Sequence, residues 1–272
     1  MKRHQIKEKL NNYDDVHTML SAMKSVALVE LKKLSGQLER QRQTLATLEA
    51  ATADLLSFYP LGIETGRHVK IVIGSERGFC GDFNDRLLPR ITNNQENHTL
   101  IVIGRGLSEQ FAEQEHCYCL PGPSILEEIL IVLEGLSEML TVIQGENSVK
   151  PLHISVLYHV QHGIVEKVIS PVFCGSSVSD SKQPYHSVPV LTLPPEELLE
   201  GLMKQSILLS LQEVFTLSLA AENHQRVSHM ENALKHLDDL NEKLLRKMNI
   251  ARQDNITQEI ETILLSSDVG SS

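Results

Sequence analysis

VSHMENALKHLDDLNEKLLRKMNIA, residues Val227 to Ala251, decides the reading of this chain. A strict 3,4 spacing from its first residue picks out Val227, Met230, Leu234, Leu237, Asn241, Leu244, Met248 and Ala251, a heptad seam with a single polar interruption. The helix it implies runs well past the quoted stretch. Leu202 to Val269 contains no Gly or Pro, the residues that most often stop helices, so at about 1.5 Å per residue it can reach roughly 100 Å. Asn241 on the seam either sets the register at some cost in stability or leaves a locally hydrated gap. Ile256, Ile260, Ile263 and Leu264 continue an apolar stripe that has drifted off the heptad, which is expected to bury itself in another protein.

The opposite end of the chain answers with the same spacing. Met1 to Tyr59 holds one Gly and no Pro, and its seam reads Ile6, Leu10, Tyr13, His17, Leu20, Lys24, Ala27, Leu31, Leu34, Leu38, Gln41, Leu45, Leu48, Thr52 and Leu55. His17, Lys24, Gln41 and Thr52 are its departures from an apolar pattern. Met19 and Met23, flanking Leu20, read as gap fillers in a core. Two seams of this length predict that the terminal helices pair as an antiparallel coiled coil.

Between them the pattern changes to short apolar runs broken by Gly, Asn and Pro, the mark of strands alternating with helices. Val69 to Ile73 and Leu100 to Ile103 read as buried parallel strands, each followed by Gly and a helical stretch. Ser124 to Gln144 reads as a helix capped by Ser124 with Glu127 three positions on. Leu152 to Val160 and Val165 to Val172 read as a strand pair turning at His162 and Gly163. Val188 to Leu193 reads as a further strand before Pro194 and Pro195 open the last helix. The expected fold class is therefore α/β: an antiparallel coiled coil of long N- and C-terminal helices flanking a Rossmann-like open sheet of about five strands. The expected division is 1–59 for the first shaft helix, 67–195 for the α/β domain and 196–272 for the second shaft helix.

Composition narrows the function. The 272 residues are 41% hydrophobic and 22% charged, and the longest strongly apolar run, Ile129 to Leu133, falls far short of the roughly 20 residues a membrane span needs. The opening MKRHQIKEKL lacks the apolar core of a signal peptide, so a cytoplasmic position, or one on the cytoplasmic side of a membrane complex, is expected. Four cysteines (Cys80, Cys117, Cys119, Cys174) read as reduced, partly buried thiols without a zinc spacing. Aromatic content of 4% with no Trp argues against a stacking surface for single-stranded nucleic acid. The net charge is −10, yet residues 1–42 carry Lys2, Arg3, Lys7, Lys9, Lys24, Lys32, Lys33, Arg40 and Arg42 against Glu8, Asp14, Asp15, Glu30 and Glu39. That segment is +4 and the remainder −14, so an acidic protein surface fits it better than nucleic acid, which the acidic remainder repels.

Catalytic and cofactor signals are weak. GSERGFCGDFN after the first strand has Gly74, Gly78 and Gly81 at neither dinucleotide nor phosphate-loop spacing, so it reads as a glycine-dependent turn in which Arg77 and Asp82 make local hydrogen bonds. Among the twelve histidines, His159 and His162 read as polar strand and turn residues, and no nucleophile with a base stands out. No cofactor, metal or catalytic residue is expected.

Three motifs carry a resemblance. Ala22-Met23-Lys24-Ser25-Val26-Ala27, the loop Ser75-Glu76-Arg77-Gly78-Phe79-Cys80-Gly81-Asp82-Phe83-Asn84, and the last helix are together similar to the gamma subunit family of F-type ATP synthases. In the last helix the matching residues are Glu222, Arg226, Met230, Asn232 and Ala233, then Ala251-Arg252-Gln253 and Ile256-Thr257-Gln258-Glu259-Ile260. The likeness spans the chain, with a departure at Leu28-Val29-Glu30-Leu31-Lys32-Lys33, where an acid stands among basic residues, as in a divergent or alternate bacterial form. It implies a non-catalytic central rotor inside a ring of three alpha and three beta subunits, with an epsilon-type subunit and the membrane c-ring as further partners. It also implies a peripheral position on the cytoplasmic face of the inner (plasma) membrane, with no direct insertion. Met23, Arg252, Gln253, Thr257 and Glu259 match positions that contact the beta subunits, and Lys24, Lys32 and Lys33 fit the same charge logic. Arg77, Gly78, Gly81 and Asn84 carry the loop motif. A sodium-translocating form of the same machine, a non-rotary coiled-coil adaptor and a small Rossmann enzyme are the competing readings.

Overall fold

A computed structural model of the chain describes residues 3–59, 67–92, 99–112, 117–145, 152–169 and 190–269, with side chains at the C-terminal end described through Glu261. Its elements are α1 (Arg3–Phe58), β1 (His68–Ile73), α2 (Leu88–Thr92), β2 (Thr99–Ile103), α3 (Arg105–Phe111), β3 (Cys117–Leu120), α4 (Ile129–Gln144), β4 (His153–Val160), β5 (Gly163–Ile169) and α5 (Pro195–Val269). A 3₁₀ turn, Leu126–Glu128, leads into α4. Two compact units are distinguished: Met1–Leu28 with Arg226–Ser272, and Val29–Gln225.

The first unit is a helix pair. Every seam position from Ile6 to Ala27 on α1 and from Val227 to Ala251 on α5 is buried or half-buried, while most residues between them are exposed. This is the burial period a heptad dictates. Lys24 meets Glu231 at 2.9 Å, His17 meets Asp238 at 3.6 Å, and Asn241 Nδ2 donates to Asp14 Oδ1 at 3.4 Å. Each step forward along α1 is matched by an equal step back along α5, so the pair is antiparallel in constant register. Asn241 acts across the seam, which favours the register role over a hydrated gap. Met19 departs from expectation: it is exposed, because it falls one position before the buried Leu20 and points away from the seam. The side chains of Ile263 and Leu264 lie outside the described residues.

The second unit is a five-stranded sheet in the order β3-β2-β1-β4-β5, with β1, β2, β3 and β4 parallel and β5 antiparallel to β4. Strand pleating divides its apolar residues. Val69, Ile71, Ile73, Ile101, Ile103, Val156 and Tyr158 face one core with Leu34 of α1, Leu133 and Leu136 of α4, and Val214 and Phe215 of α5. Val72, Val102 and Leu157 face the other core with Ile91, Leu107 and Phe111 of the short helices α2 and α3. Burial on both faces explains why these strands read as near-continuous apolar runs. In this unit too the α1 seam from Leu31 to Leu55 is buried or half-buried, Gln41 and Thr52 included.

Three element expectations change. The strand expected at Val188 to Leu193 is not formed by its described part, Val190 to Leu193, and Val190 is 97% exposed. Pro194 and Pro195 follow at once and withhold ladder donors; Val188 and Pro189 lie outside the described residues. The fifth strand is instead β3, a four-residue edge that its length and its two thiols concealed. The cap of the Ser124–Gln144 region is also different: Glu128, not Glu127, reaches back to the Ser124 N–H, at 2.6 Å, and the first turn is 3₁₀. The second hairpin strand ends at Ile169, and Ser170 to Val172 lie outside the described residues.

Candidate functional site

The loop after β1 is held by carboxylates from distant parts of the same unit. Glu222 on α5 is 3% exposed and accepts from the N–H of Glu76 at 3.3 Å and of Arg77 at 3.1 Å. Glu76 in turn accepts from the N–H of Arg105 at 2.9 Å and of Gly122 at 2.8 Å, and its other oxygen lies 3.4 Å from the Arg105 guanidinium. Asn84 closes the loop, accepting from Ser75 N–H at 2.9 Å and donating to Ser75 Oγ at 3.0 Å. Gln225 Nε2 donates to Asp82 Oδ1 at 3.4 Å. Phe79 and Gly81 take left-handed backbone, with φ of 64° and 60°, to turn the chain. Packing around Asn84 is tight enough to demand glycine: a Cβ at Gly74 would sit 2.9 Å from Asn84 Oδ1 and 2.7 Å from Leu107 Cβ.

This arrangement has a direct chemical consequence. N–H groups at the C-terminal ends of parallel strands are where an α/β sheet usually receives phosphate. Here Glu76 and Glu222 already occupy them, and two carboxylates at that edge repel an anion. The four motif residues therefore belong to a clamp. Asn84 is its hub, Gly81 supplies left-handed backbone, Gly78 is exposed with open space around its Cα, and Arg77 contributes its N–H to Glu222. Arg77 makes a local bond through its carbonyl, which accepts from Cys80 Sγ at 3.2 Å, while its N–H reaches α5. The half-buried Arg77 guanidinium makes no ion pair among the described residues.

His159, read from sequence as a polar strand residue, is buried under the loop. Its Nε2 lies 2.8 Å from Phe83 O and its ring stacks on Phe83 at 3.9 Å between centroids. Burial lowers its pKa, only partly opposed by the bond to Phe83. Cys80 is buried with its Sγ 3.2 Å from Arg77 O. Burial, with Cys119 beside it, pushes the Cys117 thiol up to about 11, so it is no nucleophile at neutral pH. Cys174 lies outside the described residues. The sequence reading left Glu76 and Glu222 out of the site. The available signal was Glu222 itself, an acid ending the mostly apolar run VFTLSLAAE, where a charge persists only if it is hydrogen-bonded.

The residues expected at a partner surface fall into two sets. Lys24 and Lys33 are already paired: Lys24 with Glu231, and Lys33 with Glu127 at 3.1 Å and Glu30 at 3.6 Å. The hydrogen bond to Glu127 and then the charge of Glu30 raise the Lys33 pKa, and the bond from Lys24 lowers that of Glu231. Glu30, the unexpected acid of this segment, is 5% exposed and accepts the Leu126 N–H at 2.7 Å, capping the turn that opens α4. Lys32 is exposed and makes no ion pair among the described residues, and Met23 is half-buried. Arg252, Gln253, Thr257 and Glu259 lie on a stretch, Arg252 to Glu261, in which every side chain is exposed.

Comparison with known proteins agrees with this architecture. The sequence profile of the ATP synthase family matches residues 2–267. The ATP synthase gamma chain of Rickettsia felis is 24% identical over 290 residues, covering 97% of this chain and 98% of that protein. The ATP synthase gamma chain of Clostridium botulinum is 24% identical over 275 residues, covering 95% of each. In a cryo-EM structure of the OSCP/F1/c-ring assembly of Euglena gracilis mitochondrial ATP synthase, one chain superposes with a TM-score of 0.66 at 16% identity, over 98% of this chain and 94% of that one. A chain of the Euglena gracilis ATP synthase rotor superposes with a TM-score of 0.60 at 15% identity, over 93% of this chain and 98% of that one. With its paired terminal helices, its clamped α/β sheet and a family match running almost end to end, this chain belongs to the ATP synthase family.

Proposed function

We propose that the chain is the central rotor stalk of an F-type ATP synthase, coupling ion-driven rotation of a membrane c-ring to conformational change in the catalytic beta subunits of an alpha3beta3 ring. It is a non-catalytic subunit and peripheral; no described helix is long and apolar enough to cross a membrane. Its proposed place is the cytoplasmic face of the inner (plasma) membrane, beside an epsilon-type subunit. The observation that carries the reading is that α5 continues to Val269 past the last seam residue, Ala251, with every side chain from Arg252 to Glu261 exposed. A helix exposing Ile256 and Ile260 next to Arg252, Gln253, Thr257 and Glu259 is built for partners.

Physically, coupling is differential binding. An asymmetric helix favours a different beta-subunit conformation on each side, so turning it changes which state is populated. The loop carrying Arg77, Gly78, Gly81 and Asn84 contributes as a mechanical clamp: Glu222 and Gln225 tie it to α5, so force on the sheet enters that helix through hydrogen bonds as well as packing. Co-purification tests the reading. A tagged chain is expected to bring down alpha and beta subunits, and deleting Arg252 to Leu265 is expected to abolish ATP-driven ion pumping. Absence of both subunits, with pumping intact after the deletion, overturns it.

A further inference from the structure

On the side of the sheet opposite α2 and α3, we propose that the outward face of α4 is a docking seam for a basic amphipathic helix of a partner protein. α4 reads ILIVLEGLSEMLTVIQ and is apolar almost all round. A helix of that kind is normally covered on both sides. Its inward face is covered: Ile129, Leu133, Leu136 and Ile143 are buried in the core shared with Leu34 of α1 and Phe215 of α5. Its outward face is open. Leu130, Ile131 and Val142 are 60%, 67% and 76% exposed. Single exposed aliphatics are ordinary, but two of these bound one row at 3,4 spacing, Ile131, Gly135, Glu138 and Val142, the pattern with which a helix meets a second helix.

Gly135 marks the middle of that row. A Cβ built there meets nothing within 4 Å, so no neighbour inside the chain requires glycine at this point. Glycine weakens a helix interior relative to Ala, and its use in this row is to let a second helix axis come close. The charges select the partner. Glu134 and Glu138 are exposed, and α4 has no Lys, Arg or His to answer them. On α5, by contrast, Glu200 pairs with Lys204 and Glu242 with Arg246 one turn on. The counterions of α4 come from the partner, as Lys or Arg beside its apolar row. The same two carboxylates repel an anionic lipid surface and nucleic acid. The seam belongs to the α/β unit and is independent of what the Arg252 to Glu261 stretch contacts.

Photocrosslinking of the tagged full chain in its own host cells tests the proposal, with p-benzoylphenylalanine replacing Val142 or, as a control across the sheet, Glu109 of α3. The Val142 probe alone is expected to join a protein segment with apolar residues at 3,4 spacing and Lys or Arg beside them, identified by mass spectrometry. In that background Glu134→Lys with Glu138→Lys should lower the crosslink yield about tenfold, because like charges then face each other. Gly135→Leu separates docking from folding. It should lower the yield as far while raising the melting temperature of the isolated chain, since leucine favours helix where there is open space; Gly135→Ala replaces it if the larger side chain does not fold. A crosslink to lipid, to an acidic or extended segment or to nothing overturns the proposal, as does an equal yield in all variants or a lower melting temperature for Gly135→Leu. Recovery of alpha and beta subunits in the same tagged preparations reports separately on the rotor reading.

Discussion

Glu222 is the residue on which the loop depends. Its carboxylate takes two backbone N–H groups that no other described side chain accepts, and an orphaned buried donor costs roughly 1–3 kcal/mol. Glu222→Ala is expected to destabilise the chain by that amount for each donor, and Glu222→Gln, which keeps one acceptor, by less; denaturant unfolding of both variants measures it. His159 makes a second prediction. Its folded pKa lies below the unfolded value near 6.5, so the unfolded chain binds the extra proton first. The contribution is therefore complete above pH 6.5 and is lost as pH falls toward the folded pKa. Stability measured from pH 8 to pH 5 should decline below 6.5 in the wild type, and His159→Gln should remove that component of the slope.

At the scale of elements, the α1 seam carries a buried polar residue whose cost is measurable. Gln41 is 5% exposed, and neither of its side-chain polar atoms has a hydrogen-bond partner among the described residues. Gln41→Leu should stabilise the chain by roughly 1–2 kcal/mol in the same unfolding assay, since it removes two orphaned groups and fills an apolar seam. The basic face of α1 is less free than its charge count implies. Lys24 and Lys33 are neutralised within the chain, so Lys33→Glu would place a third acid beside Glu30 and Glu127 and perturb folding as well as docking. Lys32→Glu is the cleaner probe of an acidic partner. It should leave the melting temperature unchanged and lower the ionic strength at which the subunit dissociates from an alpha3beta3 ring, read by salt-dependent pull-down.

For the whole molecule, stability and coupling are expected to separate. Side chains from Arg252 to Glu261 are all exposed in the isolated chain, so replacing Arg252, Gln253, Thr257 and Glu259 together with Ala should leave its melting temperature within about 1 °C of wild type. The same substitutions should lower the ion pumped per ATP hydrolysed in the assembled complex. A fall in melting temperature of the isolated chain, with pumping intact, would make these residues structural instead.

Periodicity alone determined the two long helices, their seam residues and the doubly buried parallel strands, because a 3.6-residue turn and a two-residue pleat impose burial patterns that are written one residue at a time. The third parallel partner β3, the exposure of Val190 and the Glu128 cap were decided only in three dimensions, where sheet edges and helix starts compete for the same donors. The clamp belongs to that second class as well. Glu222 and Glu76 lie 146 residues apart in sequence, and nothing local to either names the other as partner. The fold brings a buried carboxylate to unsatisfied N–H groups because leaving either alone away from water is too costly.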